Sequence, residues 1–455
     1  MRVFSLVVVC LSALAQAAGP EQPRTVTLDE ALQLARTNQP QLQAAKLRLE
    51  AAAKEVDAAR AAWLPTFGAL AEVVGSSTNN STTTVISNSA VDLPRIGATK
   101  VSATPDFTPA ISTVVALGAR QTLYDFGRIS AQTGAASALE RVEEARVKNT
   151  KLSLELDVKR AFYAVLAAHL VQDASEQAWA RAKSHRDFAQ QAVGTQVRPP
   201  IELTRAEADL ARAEVGRIRA ASGVRSARVL LAALTGVSDE ELDARGELVA
   251  ATPLPSPDSV RDAALAHDPL LAASAAAQEV AHQQAEGLAA QRRPTLFATA
   301  SVSGRSGGAP PSSGTAPAGL GLVPLVPNYD LGVVLSWPLF DAAVVQREDA
   351  ARLRERAARD ELAATAQRVS EQALQLAERA RVADLALVAL ERAAQAAHAN
   401  SAQAEARFHA GLGTSTELAD AETLHTEAEI NVAIGRFEAL SARAALARAM
   451  AEETP

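Results

Sequence analysis

The sequence predicts an internally duplicated, mainly α-helical chain with a small β part. Three observations carry this reading. Short motifs return in the same order at nearly the same intervals, long stretches use the Ala/Glu/Leu/Arg alphabet of extended helices, and two segments of alternating character precede each such stretch. Asn38-Gln39-Pro40-Gln41-Leu42, followed by Pro65 in AAWLPTFGALAEV, is matched by His267-Asp268-Pro269-Leu270-Leu271, followed by Pro294 in AQRRPTLFATASV. Leu123-Tyr124-Asp125 returns as Leu339-Phe340-Asp341. IELTRAEADLARAE, from Ile201, returns as TELADAETLHTEAE, from Thr416. Two copies of about 200 residues are far longer than a solenoid repeat, so each reads as half of one pseudo-symmetric body.

The N-terminus has the pattern of a secretory signal peptide, assigned to residues 1–17: Arg2, an apolar run from Val3 to Leu14, and Ala15-Gln16-Ala17 as a small-residue cleavage site. Cys10 is the only cysteine and lies inside it. Val7-Val8-Val9 before Cys10 lacks the small residue an acylation site needs, so no lipid is expected there. The processed chain would have no cysteine, which excludes disulfides and thiolate–metal sites. Residues 18–26 follow as a leader. The first repeat is assigned to 27–235, a linker to 236–257, the second repeat to 258–451, and a tail to 452–455.

Thr27 to Ala62 has helical periodicity, with Thr27 as cap and Asp29-Glu30 in the first turn, and Pro65 stops it. Phe67 to Val74 reads as a strand, and Gly75 to Ala110 as a long exposed loop rich in Ser, Thr, Asn and Pro. Thr113 to Tyr124 is a second strand, in which Val115, Leu117, Ala119 and Leu123 alternate with Ala116, Gly118, Arg120 and Thr122. The second copy repeats the order: helix Ser259–Ala290, strand Leu296–Ser303, loop Gly304–Asn328. A strand then carries Leu331, Val333, Leu335, Trp337 and Leu339 on one side and Asp330, Gly332, Val334 and Ser336 on the other. Such two-faced strands suit a transmembrane β-barrel, although a soluble sandwich hairpin alternates in the same way.

From Asp125, read as an N-cap, helical periodicity runs to about Val193 without a proline, a span of about 100 Å at about 1.5 Å per residue. Leu152, Leu156, Lys159, Tyr163, Leu166 and Leu170 form one seam. Leu154, Val158, Ala161, Val165 and Ala168 form another, as in a helix packed on two sides within a wall of helices. Asp341 to Phe408 repeats the length. Each long helix turns, at Gly194–Pro200 and at Gly411–Ser415, and returns as Ile201–Leu234 and Thr416–Met450. Gly411 and Gly413 read as a helix C-cap, with Ser415 or Thr416 as the next N-cap.

Composition narrows the function. A formal net charge of −7 offers no basic footprint for nucleic acid, and 4% aromatics argues against one large globular core. No run of 18 or more apolar residues marks a transmembrane helix, so any membrane contact would be made by strands. Four strands cannot close a membrane barrel, and an open edge in lipid leaves backbone groups unpaired. Closure therefore calls for several chains, and three chains give twelve strands. No phosphate-binding glycine loop and no H-E-x-x-H is present, and the seven histidines read as helix-surface residues rather than metal ligands. Catalysis, cofactors and metals are not expected.

TLDEALQLARTNQPQLQAA, the LYDFGR and PLFDAA junctions, and the turn RFHAGLGTSTELADAE are similar to the TolC-like outer membrane efflux proteins, over about Thr27 to Met450. The resemblance implies a homotrimer. Its four strands per chain would build a 12-stranded barrel in outer-membrane lipid, and its helical hairpins a periplasmic α-barrel in a Gram-negative bacterium. It implies as partners a periplasmic adaptor (membrane fusion) protein and an inner-membrane transporter of RND or ABC type. Glu417 and Asp420 match acidic positions at the periplasmic entrance, Glu202 matches another, and Arg205 stands where the first copy would have the second acid. The turns Gly194, Thr195, Arg198, Pro199, Pro200 and Gly411, Leu412, Gly413, Thr414, Ser415 match the adaptor-facing tips. The family's interhelical Arg and Tyr positions are Gly413 and Phe408 here, which puts a lock of that wiring in doubt; Arg198 is the candidate substitute. The competing expectations are a periplasmic adaptor or a structural coiled coil. Neither accounts for two strand pairs, each followed by its own hairpin.

Overall fold

The computed structural model describes residues 24–77, 87–88, 91–92, 109–237, 242–249, 253–307 and 326–451. The expected signal peptide with Cys10, most of the leader, the greater part of both long loops, parts of the linker and the tail lie outside the described residues. In chain order the elements are β1 (Arg24–Val26), α1 (Leu28–Asn38), α2 (Pro40–Ala61), β2 (Thr66–Ser77), β3 (Ser87–Asn88), β4 (Val91–Asp92), β5 (Pro109–Tyr124), α3 (Arg128–Gly194) and α4 (Ile201–Thr235). They continue with β6 (Leu242–Ala244), α5 (Pro257–His267), α6 (Pro269–Ala290), β7 (Thr295–Gly307), β8 (Val326–Ser336), α7 (Ala342–His409) and α8 (Ser415–Ala449). The duplication is plain in the lengths. Helices α1 to α4 have 11, 22, 67 and 35 residues, and α5 to α8 have 11, 22, 68 and 35.

Where one opening helix per copy was expected, there are two. Proline has no N–H to donate and pushes its predecessor out of the helical region. Gln39 accordingly has ψ 118° before Pro40, and Asp268 has ψ 125° before Pro269. Asp268 then caps α6, its Oδ1 accepting from Leu270 N at 2.7 Å. The strands reach further into the loops than the alternation alone indicated. By contrast β8 ends at Ser336, short of Leu339, because Pro338 cannot donate to a ladder. Asp125 does cap, but from three residues ahead of α3. Its carboxylate accepts from Gly127 N and Ile129 N, and Phe126 and Gly127 take φ of 56° and 102°.

The chain divides into two compact units. One comprises the described residues within 24–43, 150–264 and 372–451. In it β1 pairs parallel with β6, and α1 turns Ala31, Leu32 and Ala35 inward behind a capping box between Thr27 and Glu30. Asp243 on β6 ties two helices together: His169 Nε2 of α3 lies 2.7 Å from its Oδ1, and Arg228 of α4 donates to its Oδ2. Helix α4 ends at Gly236, φ +73°, where a Cβ would come within 2.7 Å of the Asn38 Cβ. Of the two expected seams of α3, the one through Leu154, Val158, Ala161 and Val165 is buried, whereas the other fades to an exposed Leu170. Glu155 is buried between them, accepting from Arg36 Nε at 2.9 Å.

The other unit comprises the described residues within 44–149 and 265–371. Its centre is a four-stranded antiparallel sheet of order β2-β5-β7-β8, with β2 and β8 at the edges. The register sets Ala69 against Leu117, Leu117 against Val302 and Val302 against Tyr329, while Ala116 pairs with Ser303. Because strand side chains alternate, one face carries Phe67, Val73, Val115, Leu117, Val302, Leu331, Val333 and Leu335, all exposed. The opposite face carries Gly118, Arg120, Thr299, Ser301, Asp330 and Gly332. Arg120 lies over the Phe297 ring at 3.8 Å.

Candidate functional site at the helical turns

The turn between α3 and α4 is built by backbone bonds. Gln196 takes φ 58°, and the N–H groups of Val197 and Arg198 both donate to Ala192 O, at 2.9 and 3.2 Å. Thr195 Oγ1 donates back to Gln191 O at 3.0 Å. Pro199 and Pro200 need no N–H partner and have φ preset for a helix start, so α4 begins at once.

The turn between α7 and α8 uses glycine instead. Gly411 takes φ +74°, and the N–H groups of Leu412 and Gly413 donate to Arg407 O. A Cβ on Gly413 would stand 3.3 Å from Phe408 N, so this turn favours glycine where the resemblance implied an Arg. The N-cap is Thr414, rather than the expected Ser415 or Thr416. Its Oγ1 accepts from Glu417 N at 3.2 Å, and the Glu417 carboxylate accepts from Thr414 N at 3.2 Å.

The first turn meets residues of the second hairpin at Phe408, which is buried. Arg198 lies over its ring at 4.4 Å, with Phe188 at 5.7 Å and His185 at 6.2 Å between centroids. Arg198 Nη1 is also 3.5 Å from Glu202 Oε2. A cleft of about 740 Å³ opens beside this cluster between α3, α4 and α8. Arg198, Glu202, Arg205 and Asp420 line it, together with Asp209 and Glu422. With Ser415, which also lines it, five of the expected site residues thus share one cleft. Glu417 does not line it, since its carboxylate serves the cap, and Gly194, Thr195 and Leu412 remain at the turns.

Sequence reasoning missed what surrounds Phe408. Phe188 and His185 lie a helical turn apart on α3, a spacing that could have marked them as one face. The reading of every histidine as a surface residue also needs correction. His425 is 8% exposed, with the His398 ring of α7 edge-on to it at 5.0 Å between centroids. Among the described residues, no group of three or more His, Cys, Asp or Glu could hold a metal ion, and no helix is long and apolar enough to cross a membrane.

Residues 31–237 match the family model described as outer membrane efflux protein. The match spans the first repeat, a little under half of the chain. The second repeat has the same four helices at nearly the same lengths. No curated protein sequence matches the chain. Among solved structures it is similar to the outer-membrane channel OprN, at 20% identity and TM-score 0.75, over 94% of this chain and 90% of that one. It is similar to the CmeC outer membrane channel of Campylobacter jejuni at 14% identity and TM-score 0.77, over 93% and 85%. The open-state MtrE outer membrane channel of Neisseria gonorrhoeae gives 21% and 0.73, over 93% and 88%. These likenesses establish the fold, that of the TolC-like structures, mainly helical with a β part.

Proposed function

We propose that the chain is the outer-membrane exit duct of a tripartite efflux or type I secretion machine. The observation that carries this is the sheet in which β2 and β8 stay as open edges while one face is apolar and exposed. A face of Leu and Val needs lipid, and the unpaired edges need further strands. Three copies joined β8 to β2 supply twelve strands, with the polar face and Arg120 turned to the lumen. Tyr124 and Trp337, exposed at the strand-to-helix junctions, suit the interfacial belt of such a barrel.

Transport through this component is passive. A periplasmic adaptor would dock at the tips, Gly194 to Pro200 and Gly411 to Ser415, and an inner-membrane transporter of RND or ABC type would supply the energy. At the entrance, Glu417, Asp420 and Glu202 from three copies would concentrate cations and repel one another, with Arg198 and Arg205 as counter-charges. Single-channel conductance of the detergent-purified protein, with its mass in solution, tests the reading. A trimer with small, cation-selective openings is expected. A monomer that conducts nothing would favour the adaptor or structural coiled-coil reading. The carboxylate entrance falls if Glu417→Ala with Asp420→Ala leaves conductance and selectivity unchanged.

A further inference from the structure

His425 lies on α8 about 15 Å along the helix from Ser415, at about 1.5 Å per residue. The charged and titratable groups around it come from three helices. Arg181 of α3 donates to Thr426 Oγ1 at 3.0 Å, and His185 Nδ1 of α3 is 3.3 Å from Glu422 Oε2. The exposed His398 of α7 meets His425 edge-on, with ring centroids 5.0 Å apart. On α8 itself, Glu429 Oε1 is 3.4 Å from His425 Nε2. His425 Nδ1, Glu429 Oε2 and Arg181 Nε are buried without a protein partner. His185 links this group to the Phe408 cluster, since it faces both Glu422 and the Phe408 ring.

We propose that His425, wedged between α3, α7 and α8, is a proton-operated release: the neutral imidazole lets the three helices pack, and its protonation loosens them. Charging the ring would place a cation in a buried site beside Arg181, and beside His398 whenever that ring is charged too. Glu429 and Glu422 offset part of this cost. Burial is the larger effect and, with Arg181 and His398, holds the His425 imidazole below its ordinary value. A base held low binds protons more readily in the loosened state than in the packed one. The packed state therefore has its full stability above the ordinary histidine value of about 6.5 and loses it as pH falls below that. Acid loosens the joint; neutral pH closes it. Any effect on the passage rests on the conduit reading, whereas the joint itself does not.

Hydrogen–deuterium exchange of the full, detergent-purified chain at about pH 7.5 and about pH 5.5, corrected for the intrinsic pH dependence of exchange, tests it alongside single-channel recording. Peptides covering 398–409 and 415–430 are expected to exchange about threefold faster or more at the lower pH, with open probability rising in parallel. His425→Gln keeps a polar group near Nε2 without a titrating ring and should abolish the rise. A wild-type rate independent of pH, or an equal rise in His425→Gln, overturns the proposal. Should that variant fail to fold, His398→Gln at its exposed position replaces it; a smaller acid response supports the joint, and an undiminished one overturns it. A chain that conducts at neither pH yet keeps the exchange response would remove the conduit reading and leave the joint standing.

Discussion

Arg198→Ala should part the first turn from Phe408, and the expected size can be worked from the contacts it loses. The guanidinium lies 4.4 Å over a buried ring, and a cation–π contact that is partly desolvated contributes about 1–2 kcal/mol. Its pairing with Glu202, with side chains 21% and 16% exposed, adds about 0.5–1 kcal/mol. The total of about 1.5–3 kcal/mol, at about 1.4 kcal/mol per tenfold, shifts the balance between joined and parted tips by about 10- to 100-fold. The variant also removes the Glu202 ion pair from a cleft lined by Asp209 and Asp420 as well as Arg205 and Arg212. Open probability of the purified protein in a planar bilayer reads the change directly. Arg198→Lys keeps the charge but not the planar stacking and should fall between the two. Phe408→Leu closes a double-mutant cycle, in which the loss on combining should be smaller than the sum of the single losses. An Arg198→Ala channel within about twofold of wild type, or strict additivity with Phe408→Leu, would refute the clasp.

Three further outcomes follow from other parts of the structure. Burial pushes the Asp243 carboxyl up, but the bonds from Arg228 and His169 outweigh it and hold it below the usual carboxylate value. Its contribution is therefore present above about pH 4 and is lost as pH falls through the lowered value, so Asp243→Asn should cost about 1–3 kcal/mol at neutral pH and less in acid, read by urea unfolding. Gly236→Ala sets a Cβ into φ +73° and against Asn38, and should lower stability by about 1–2 kcal/mol, visible as a lower melting midpoint. Leu331→Lys on the exposed apolar face of β8 should cost about 2–4 kcal/mol if that face meets the bilayer midplane, and should deplete the trimer from outer-membrane fractions. A soluble-protein surface would tolerate it.

The fold was legible wherever one residue type forces one backbone. Pro65 and Pro294 end helices, Asp341 caps α7 through Ala343 N at 2.8 Å, and alternation from Val115 to Leu123 marks a strand whatever it pairs with. The joining of β5 to β7 was not legible, because each hairpin's pattern is satisfied by its own partner and nothing local selects the other copy. Nor was the burial of Glu155 and His425. In helices rich in alanine, the small side chains that allow close approach give no large apolar landmark to show which polar residues they enclose. Seams such as Leu152 to Leu170 suggest two equal faces, and only the packed neighbours decide between them.

The site was half legible for a related reason. Sequence matching places residues at corresponding positions of the two copies, but the cluster joins positions that do not correspond. Arg198 belongs to the turn after α3 and Phe408 to the helix before the other turn, so neither finds its partner by comparing copies. The two turns have diverged in opposite ways. Pro199 and Pro200 stiffen the first, which holds Arg198 at a set height, and Gly411 with Gly413 tightens the second, which leaves room beside the Phe408 backbone. A symmetric duplication would present like groups to like groups, whether acid to acid or ring to ring. Divergence at the turns lets a cation from one copy cover a ring from the other. Exchanging the turns, so that both carry Gly194–Pro200 or both carry Gly411–Ser415, should leave the helices intact by circular dichroism while abolishing the clasp, because the second exchange removes Arg198 itself and the first removes the glycine packed against the Phe408 backbone.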